Sequence, residues 1–196
     1  MSRRDVLLKA LASAPPDVRR MTQGVDPDDA RRRPALEHWS LADVVSHLVD
    51  IEKRYRAQMQ CVVAEAHPVW RYLHPDEATH DLQTPLDALT EQFQVARAET
   101  LAFLEVLPAG IWQRKVQHET VGEISVRFLV QRWVEHDTAH LSQLASVRHW
   151  LRTGILSNLQ AAPTGYETSP ILNDEVKNEQ PRTRRNRRNP RARRRD

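Results

Sequence analysis

The sequence predicts an all-α protein, a four-helix bundle. Glycine is scarce, with 5 in 196 residues, and helix formers are plentiful. Apolar residues recur at spacings of three and four with few alternating runs, which is the period of amphipathic helices. Four stretches carry start signals, apolar stripes and stops. One domain is the expectation for this length, with enough chain to bury a core.

The first helix opens on Ser2-Arg3-Arg4-Asp5, which has capping-box spacing. Val6, Leu7, Ala10 and Leu11 form its short stripe. Pro15-Pro16 is expected to end it, with a further turn through Val18 and Met21. Residues 23–38 read as an ordered loop with little regular structure. The second helix starts with Ser40 as N-cap, Asp43 three residues on, and Trp39 placed to staple onto Val44. Its stripe is Leu41, Val44, Val45, Leu48, Ile51 and Tyr55, with His47 on the margin. It is expected to run to about Glu65, before Pro68.

Residues 67–83 form a long connection rich in histidine and aromatic residues. Connections of this length in a bundle are often a lid or a site wall. The third helix has Thr84 as cap, Pro85 at its first position and Asp87 in its first turn. Leu86, Leu89, Phe93, Ala96, Thr100, Phe103, Leu104 and Leu107 form its stripe, and Pro108-Ala109-Gly110 stops it. Trp112 to Val121 reads as a short extended or irregular link. Gly122 and Ser125 then precede a fourth helix, with Ile124 placed to staple onto Leu129. That helix runs to about Leu151, and Gly154 ends it.

From about Gln160 the apolar period fails. The bundle is therefore expected over residues 1–158, with an extension over 159–196 that is disordered from 181. Residues 181–196 hold nine Arg and one Asp, a net of +8, so a total of +3 leaves −5 for residues 1–180. The body is mildly acidic, and the basicity belongs to the tail. An arginine-rich tail suggests nucleic acid, but residues 181–196 have no aromatic side chain to stack on bases. A solvated tail is the preferred reading. No apolar run approaches the ~20 residues of a membrane span, and the first residues read as no signal peptide. One cysteine, Cys61, suits a reducing cytoplasm.

The fourth helix carries Arg132-Trp133-Val134-Glu135-His136-Asp137-Thr138-Ala139-His140. His136 and His140 are four apart and share a face. The line through Leu129, Trp133, His136, His140, Leu144 and Val147 puts both imidazoles in a core-facing stripe. Such a pair is a two-point clamp for a divalent metal. His47 would supply a third nitrogen if the second and fourth helices are neighbours, leaving a position open as in catalytic sites. Asp50, Glu52, Glu135 or Asp137 would then orient the imidazoles. The same spacing also fits ordinary histidines on helix margins, and periodicity does not decide between the two readings.

Two stretches carry a family resemblance. One is His38-Trp39-Ser40-Leu41-Ala42-Asp43-Val44-Val45-Ser46-His47-Leu48-Val49-Asp50-Ile51-Glu52, with Arg33-Pro34 upstream. The other is Gly122-Glu123-Ile124-Ser125 followed by His136-Asp137-Thr138-Ala139-His140-Leu141-Ser142-Gln143. Together they resemble the motifs of the DinB/YfiT-like family of metal-dependent bundle enzymes, over roughly residues 3 to 151. The resemblance implies His47, His136 and His140 as ligands of one divalent ion: zinc, nickel, iron or manganese. It also implies transferases that join bacillithiol, mycothiol or related thiols to electrophiles, and a mycothiol-dependent isomerase.

The functional expectation is a metal-dependent transferase on a small-molecule substrate, with a low-molecular-weight thiol as cosubstrate. The alternatives are a hydrolase that uses metal-bound water, and a non-catalytic metal- or ligand-binding stress protein. Asp50, Glu52, Asp137 and Gln143 are the candidates for orienting the ligands. Trp133, Trp70 and Tyr72 are candidate pocket walls. Cys61, ~21 Å along the helix from His47, reads as a small buried hydrophobe and not a ligand. His67, His74 and His80 read as surface histidines, and Arg132 and Arg148 as solvated charges. A homodimer is expected to be compatible with an exposed bundle face.

Overall fold

The computed structural model describes residues 1–71, 81 and 83–156, all within one compact unit. The expectations for Tyr72, His74, His80 and the arginine-rich tail lie outside the described residues. Four long helices dominate: α1 (Arg3–Thr22), α3 (Leu41–Ala64), α4 (Leu86–Glu105) and α6 (Val126–Thr153). Short helices α2 (Pro27–Arg31) and α5 (Ala109–Gln113) sit in the connections. Strands β1 (Val69–Trp70), β2 (Lys115–His118) and β3 (Gly122–Ser125) form a small sheet in the order β1-β2-β3. β1 pairs parallel to β2, and β2 pairs antiparallel to β3.

Several starts follow the sequence. Ser2 with Asp5, and Ser40 with Asp43, form complete capping boxes. Ser125 caps α6 by accepting from the Phe128 N–H, and Gly154 ends it with φ +71°. Other readings need correction. The stretch 23–38 contains α2, because Asp26 caps it and Pro27 supplies the pre-set φ of a first helical position. Thr84 does not cap α4. Its hydroxyl donates to Asp81, and Pro85 stands at the cap position without a side-chain bond. The link from Trp112 to Val121, expected as extended or irregular, is extended over β2 and pairs with β3 as a hairpin whose turn closes on Gly122 at φ +86°. Cys61 is exposed because the inward stripe passes through Met59 and Val62.

Pro15 and Pro16 do not end α1, which continues through both. A proline removes the donor that would satisfy the carbonyl four residues earlier. The Pro16 gap falls on Ala12, which is exposed. The Pro15 gap falls on buried Leu11, whose carbonyl instead accepts from Arg97 Nη1 at 2.9 Å. A side chain from another helix thus repairs the ladder.

The main helix contacts are α1 with α4 and α6, and α3 with α4 and α6. Contact pairs give their directions. Arg4 meets Leu104 and Thr22 meets Thr90, so α1 and α4 are antiparallel. Glu52 meets Arg97 and Arg56 meets Thr100, so α3 and α4 are parallel. Tyr55 meets Trp133 and His47 meets His136, so α3 and α6 are antiparallel. Arg148 of α6 donates to Arg20 and Gln23 carbonyls at the end of α1. The order is up, down, down, up, and parallel α3 and α4 need a long return connection. Its described ends are tied to α3: Gln58 exchanges hydrogen bonds with Arg71, and Ser46 accepts from the Asp81 N–H.

Arginines close three helix C-termini from outside. Neither α3 nor α4 has a basic residue in its last turn. Arg114 donates to Val62, Val63 and Glu65 carbonyls at the end of α3, and Arg4 to Leu104 and Glu105 at the end of α4. Arg148 does the same for α1. Cations are favourable there because the last carbonyls lack partners and carry the negative end of the helix dipole. Arg148 is therefore a cap, and Arg132 pairs with Glu135 and is largely buried, so neither is merely a solvated charge.

Arg97 is the central polar group, fully buried at 0% exposure. Its Nε and Nη2 donate to both oxygens of Glu52 at 2.9 and 2.7 Å, and Nη1 donates to Asp137 at 2.6 Å. Trp133 Nε1 also donates to Glu52 at 3.1 Å. Together with the Leu11 carbonyl, one guanidinium joins α1, α3, α4 and α6. Burial alone would lower its pKa, but the charges of Asp137 and Glu52 outweigh that and raise it. We predict that Arg97→Ala lowers the unfolding free energy by about 3–5 kcal/mol, since it strands two buried carboxylates. Urea denaturation measures this, and a loss under about 1 kcal/mol would contradict a structural role of this size.

Candidate metal centre

The site begins with the start of α3. Arg33 donates a two-pronged bond to Asp43, with both distances 2.8 Å, and Asp43 also accepts from the Ser40 N–H and hydroxyl. Burial raises the Asp43 pKa, but the bonds from Arg33 and Ser40 prevail and lower it. This lock fixes the chain at Trp39. The Trp39 ring stacks on His140 at 5.8 Å with an interplanar angle of 3°, and packs on His47 at 4.9 Å.

His47 from α3 faces His136 and His140 from α6. The antiparallel packing of these helices makes the three imidazoles converge, and their nearest ring nitrogens lie within 4.8 Å of one another. His47 Nε2 and His136 Nε2 are 3.2 Å apart. Two nitrogens bound tetrahedrally to zinc at ~2.0–2.1 Å are ~3.3 Å apart, so this separation suits two ligands on a shared ion. At 3.2 Å, facing lone pairs require one nitrogen to donate a proton, or both to share a cation. His140 is 1% exposed, His47 5%, and the His136 side chain 14%. His136 is therefore the imidazole nearest solvent.

Gln143 Oε1 lies 2.9 Å from His140 Nδ1. The Nδ1–H donates to it, which leaves the Nε2 lone pair pointed at the cluster. Burial, reinforced by nearby His136, pushes the His140 pKa down to about 3. A neutral imidazole is the form that binds metal. Three neutral imidazoles leave coordination positions for solvent or substrate, the donor set of a catalytic and not a structural zinc-type site.

The remaining expected site residues fall at different places. Gln143 contacts His140 directly. Asp137 is buried, with Oδ2 on Arg97 and Oδ1 3.9 Å from His136 Nδ1. Burial raises its pKa, but the Arg97 charge and hydrogen bond, with His136 close by, outweigh that and hold it below the ordinary carboxylate value. Glu52 is bonded to Arg97 and Trp133, so its contacts face the core network. Asp50 pairs with Arg54, and Glu135 with Arg132. Trp133 lies edge-on to Tyr55 at 5.2 Å and under the Arg97 guanidinium. Trp70 packs on Tyr55 at 5.5 Å, and Tyr55 in turn lies 5.9 Å from His136. Trp70 therefore reaches the cluster through Tyr55.

Sequence reasoning did not assign Trp39, Tyr55 or Arg97 to the site surroundings. Trp39 had stood as a staple and as part of the first motif, and Tyr55 as a stripe residue, neither with a place beside the imidazoles. Arg97 had a signal: it falls four after Phe93 and three before Thr100, so it occupies the buried stripe of α4.

A family model described as the DinB superfamily matches residues 10–144. Among solved structures, YfiT from Bacillus subtilis is similar, with a TM-score of 0.65 at 16% identity, covering 79% of this chain and 90% of that one. YfiT is described as a probable metal-dependent hydrolase with an unusual four-helix bundle topology. The DinB-like protein YjoA, also from Bacillus subtilis, is similar with a TM-score of 0.54 at 17% identity, covering 79% of this chain and 98% of that one. No curated protein matches the chain. Among the described residues, no helix is long and apolar enough to cross a membrane.

The pKa of His140 gives a pH prediction for metal-free protein. The group titrates near 6.5 when unfolded and near 3 when folded. Above 6.5 it is neutral in both states and its contribution is intact. As pH falls from 6.5 toward 3, only the unfolded state takes up the proton, so stability is progressively lost. Urea midpoints across this range should fall with acid, and His140→Leu should flatten the slope. An unchanged slope in that variant would assign the acid sensitivity to other groups.

Proposed function

Because the chain belongs to the DinB superfamily, we propose that it is a divalent-metal-dependent enzyme acting on a small molecule, with His47, His136 and His140 as the metal ligands. The observation that carries this reading is the convergence of three imidazoles, from two helices, in one largely buried cluster. A divalent cation supplies Lewis-acid polarisation and favours the deprotonated form of water or a thiol. The chain's own residues do the rest. His47 and His140 are held by burial and by the Trp39 ring, and Gln143 fixes the His140 tautomer. Side chains around the two inner imidazoles exclude water from that side, so a substrate approaches on the His136 side.

The first reading of the reaction is transfer of a low-molecular-weight thiol to an electrophile. The sequence motifs around His47 and His136 support it. Hydrolysis is the second reading, supported by the description of YfiT. The metal is zinc, nickel, iron or manganese, the set that the sequence motifs imply, and imidazole donors suit the first three best.

Untagged protein purified without added metal should carry near-stoichiometric divalent ion by elemental analysis. His47→Ala and His136→Ala should lose most of it, and Gln143→Leu should bind ~10–100-fold more weakly. Metal-free wild type that takes up no ion on titration would end this reading. Turnover of electrophile panels with and without low-molecular-weight thiols separates the reactions: thiol-dependent turnover supports transfer, and thiol-independent turnover supports hydrolysis.

A further inference from the structure

We propose that Asp137, clamped by Arg97, is the positioning residue for His136. It accepts the His136 Nδ1–H and so presents Nε2 to the metal. This rests on the metal reading of the three-histidine cluster. His136 Nδ1 is buried without a hydrogen-bond partner, and so is Asp137 Oδ1. The two atoms are 3.9 Å apart, beyond the ~2.7–3.2 Å of a hydrogen bond. The two are complementary, since a neutral imidazole carries one N–H and a carboxylate oxygen only accepts. The proposed bond needs the two atoms to approach by about 1 Å when the metal binds. Metal-bound histidines regularly donate their second N–H to such an acceptor, and Gln143 already serves His140 in this way.

Arg97 is what makes Asp137 suited to this role. It holds Oδ2 at 2.6 Å and leaves Oδ1 turned toward His136. The guanidinium is itself fixed by the Glu52 fork and the Leu11 carbonyl, and lies against the Phe93 and Trp133 rings. The charges point the same way. Two carboxylates, Glu52 and Asp137, surround one guanidinium, which leaves one negative charge beside the imidazoles. A nearby dication offsets it.

The test uses metal-free full-length protein and competitive titration with Zn²⁺ or Co²⁺. Asp137→Ala should weaken binding ~10–100-fold. Asp137→Asn retains an acceptor oxygen but no charge, and should fall between Ala and wild type. Glu52→Gln disturbs the same arginine without facing a histidine, so it should lower thermal stability yet leave affinity within about threefold of wild type, well short of that loss. In ¹⁵N-labelled, Zn²⁺-loaded wild type, His136 should appear as the Nδ1–H tautomer with a slowly exchanging Nδ1 proton. The proposal is overturned if Asp137→Asn binds like wild type, if Glu52→Gln weakens binding as much as Asp137→Asn, or if His136 binds through Nδ1. Should Asp137→Ala fail to fold, the Asn variant and the tautomer decide. Wild type that binds no metal would overturn the underlying site reading as well, whereas metal lost in His47→Ala but retained in both Asp137 variants would overturn this inference alone.

Discussion

A fully buried guanidinium sets the conditions for the rest of this bundle. A charge of that kind is costly to remove from water unless it is paired and its donors are satisfied. Arg97 meets that requirement by drawing one partner from each of the other three long helices: Glu52, Asp137 and the Leu11 carbonyl. The helices cannot slide or rotate relative to one another without breaking a buried bond to Arg97. The same demand accounts for the proline in α1, because Pro15 leaves free the carbonyl that Arg97 uses. Two features that look unfavourable when considered alone, a mid-helix proline and a buried arginine, complete each other.

This lock is coupled to the histidine cluster through adjacent residues. Asp137 follows His136, and Glu52 lies five residues after His47. Helix geometry therefore fixes the imidazoles relative to the ionic network. Trp133 belongs to both, since it bonds Glu52 and stands one turn before His136. At the N-terminus of α3, the Arg33–Asp43–Ser40 lock places Trp39 across His47 and His140. The cluster is thus held from two sides by rigid polar groups, a setting suited to ligands that must keep a fixed separation.

Much of this was legible in the sequence. Ser40-x-x-Asp43 is a local signal, and its box formed as local chemistry dictates. The i, i+4 spacing of His136 and His140 is also local. Bringing His47 to them needed α3 beside α6, which no periodicity encodes and which only the paired motifs suggested. Arg97 was hidden for a different reason: an arginine on an apolar stripe looks like an irregularity until its two carboxylate partners, 45 and 40 residues away, are known. Pro15-Pro16 misled because breaking a helix is the local preference of proline, and tertiary contacts overrode it. The β2–β3 hairpin was missed because two four-residue strands give too short an alternation to stand out.

The pairing of α1 with α6 has a consequence for biosynthesis. The first and last long helices of the described chain lie side by side, so this contact cannot form until synthesis has passed α6. Until then α1 and α3 have an uncovered apolar flank, and the Arg97 charge lacks its Asp137 partner. The mean sequence separation of contacts is raised above that of an up-and-down bundle of nearest neighbours, which slows closure. The nascent chain emerges in one direction with its ionic centre incomplete and apolar surface exposed, the condition in which partly folded chains are prone to aggregate.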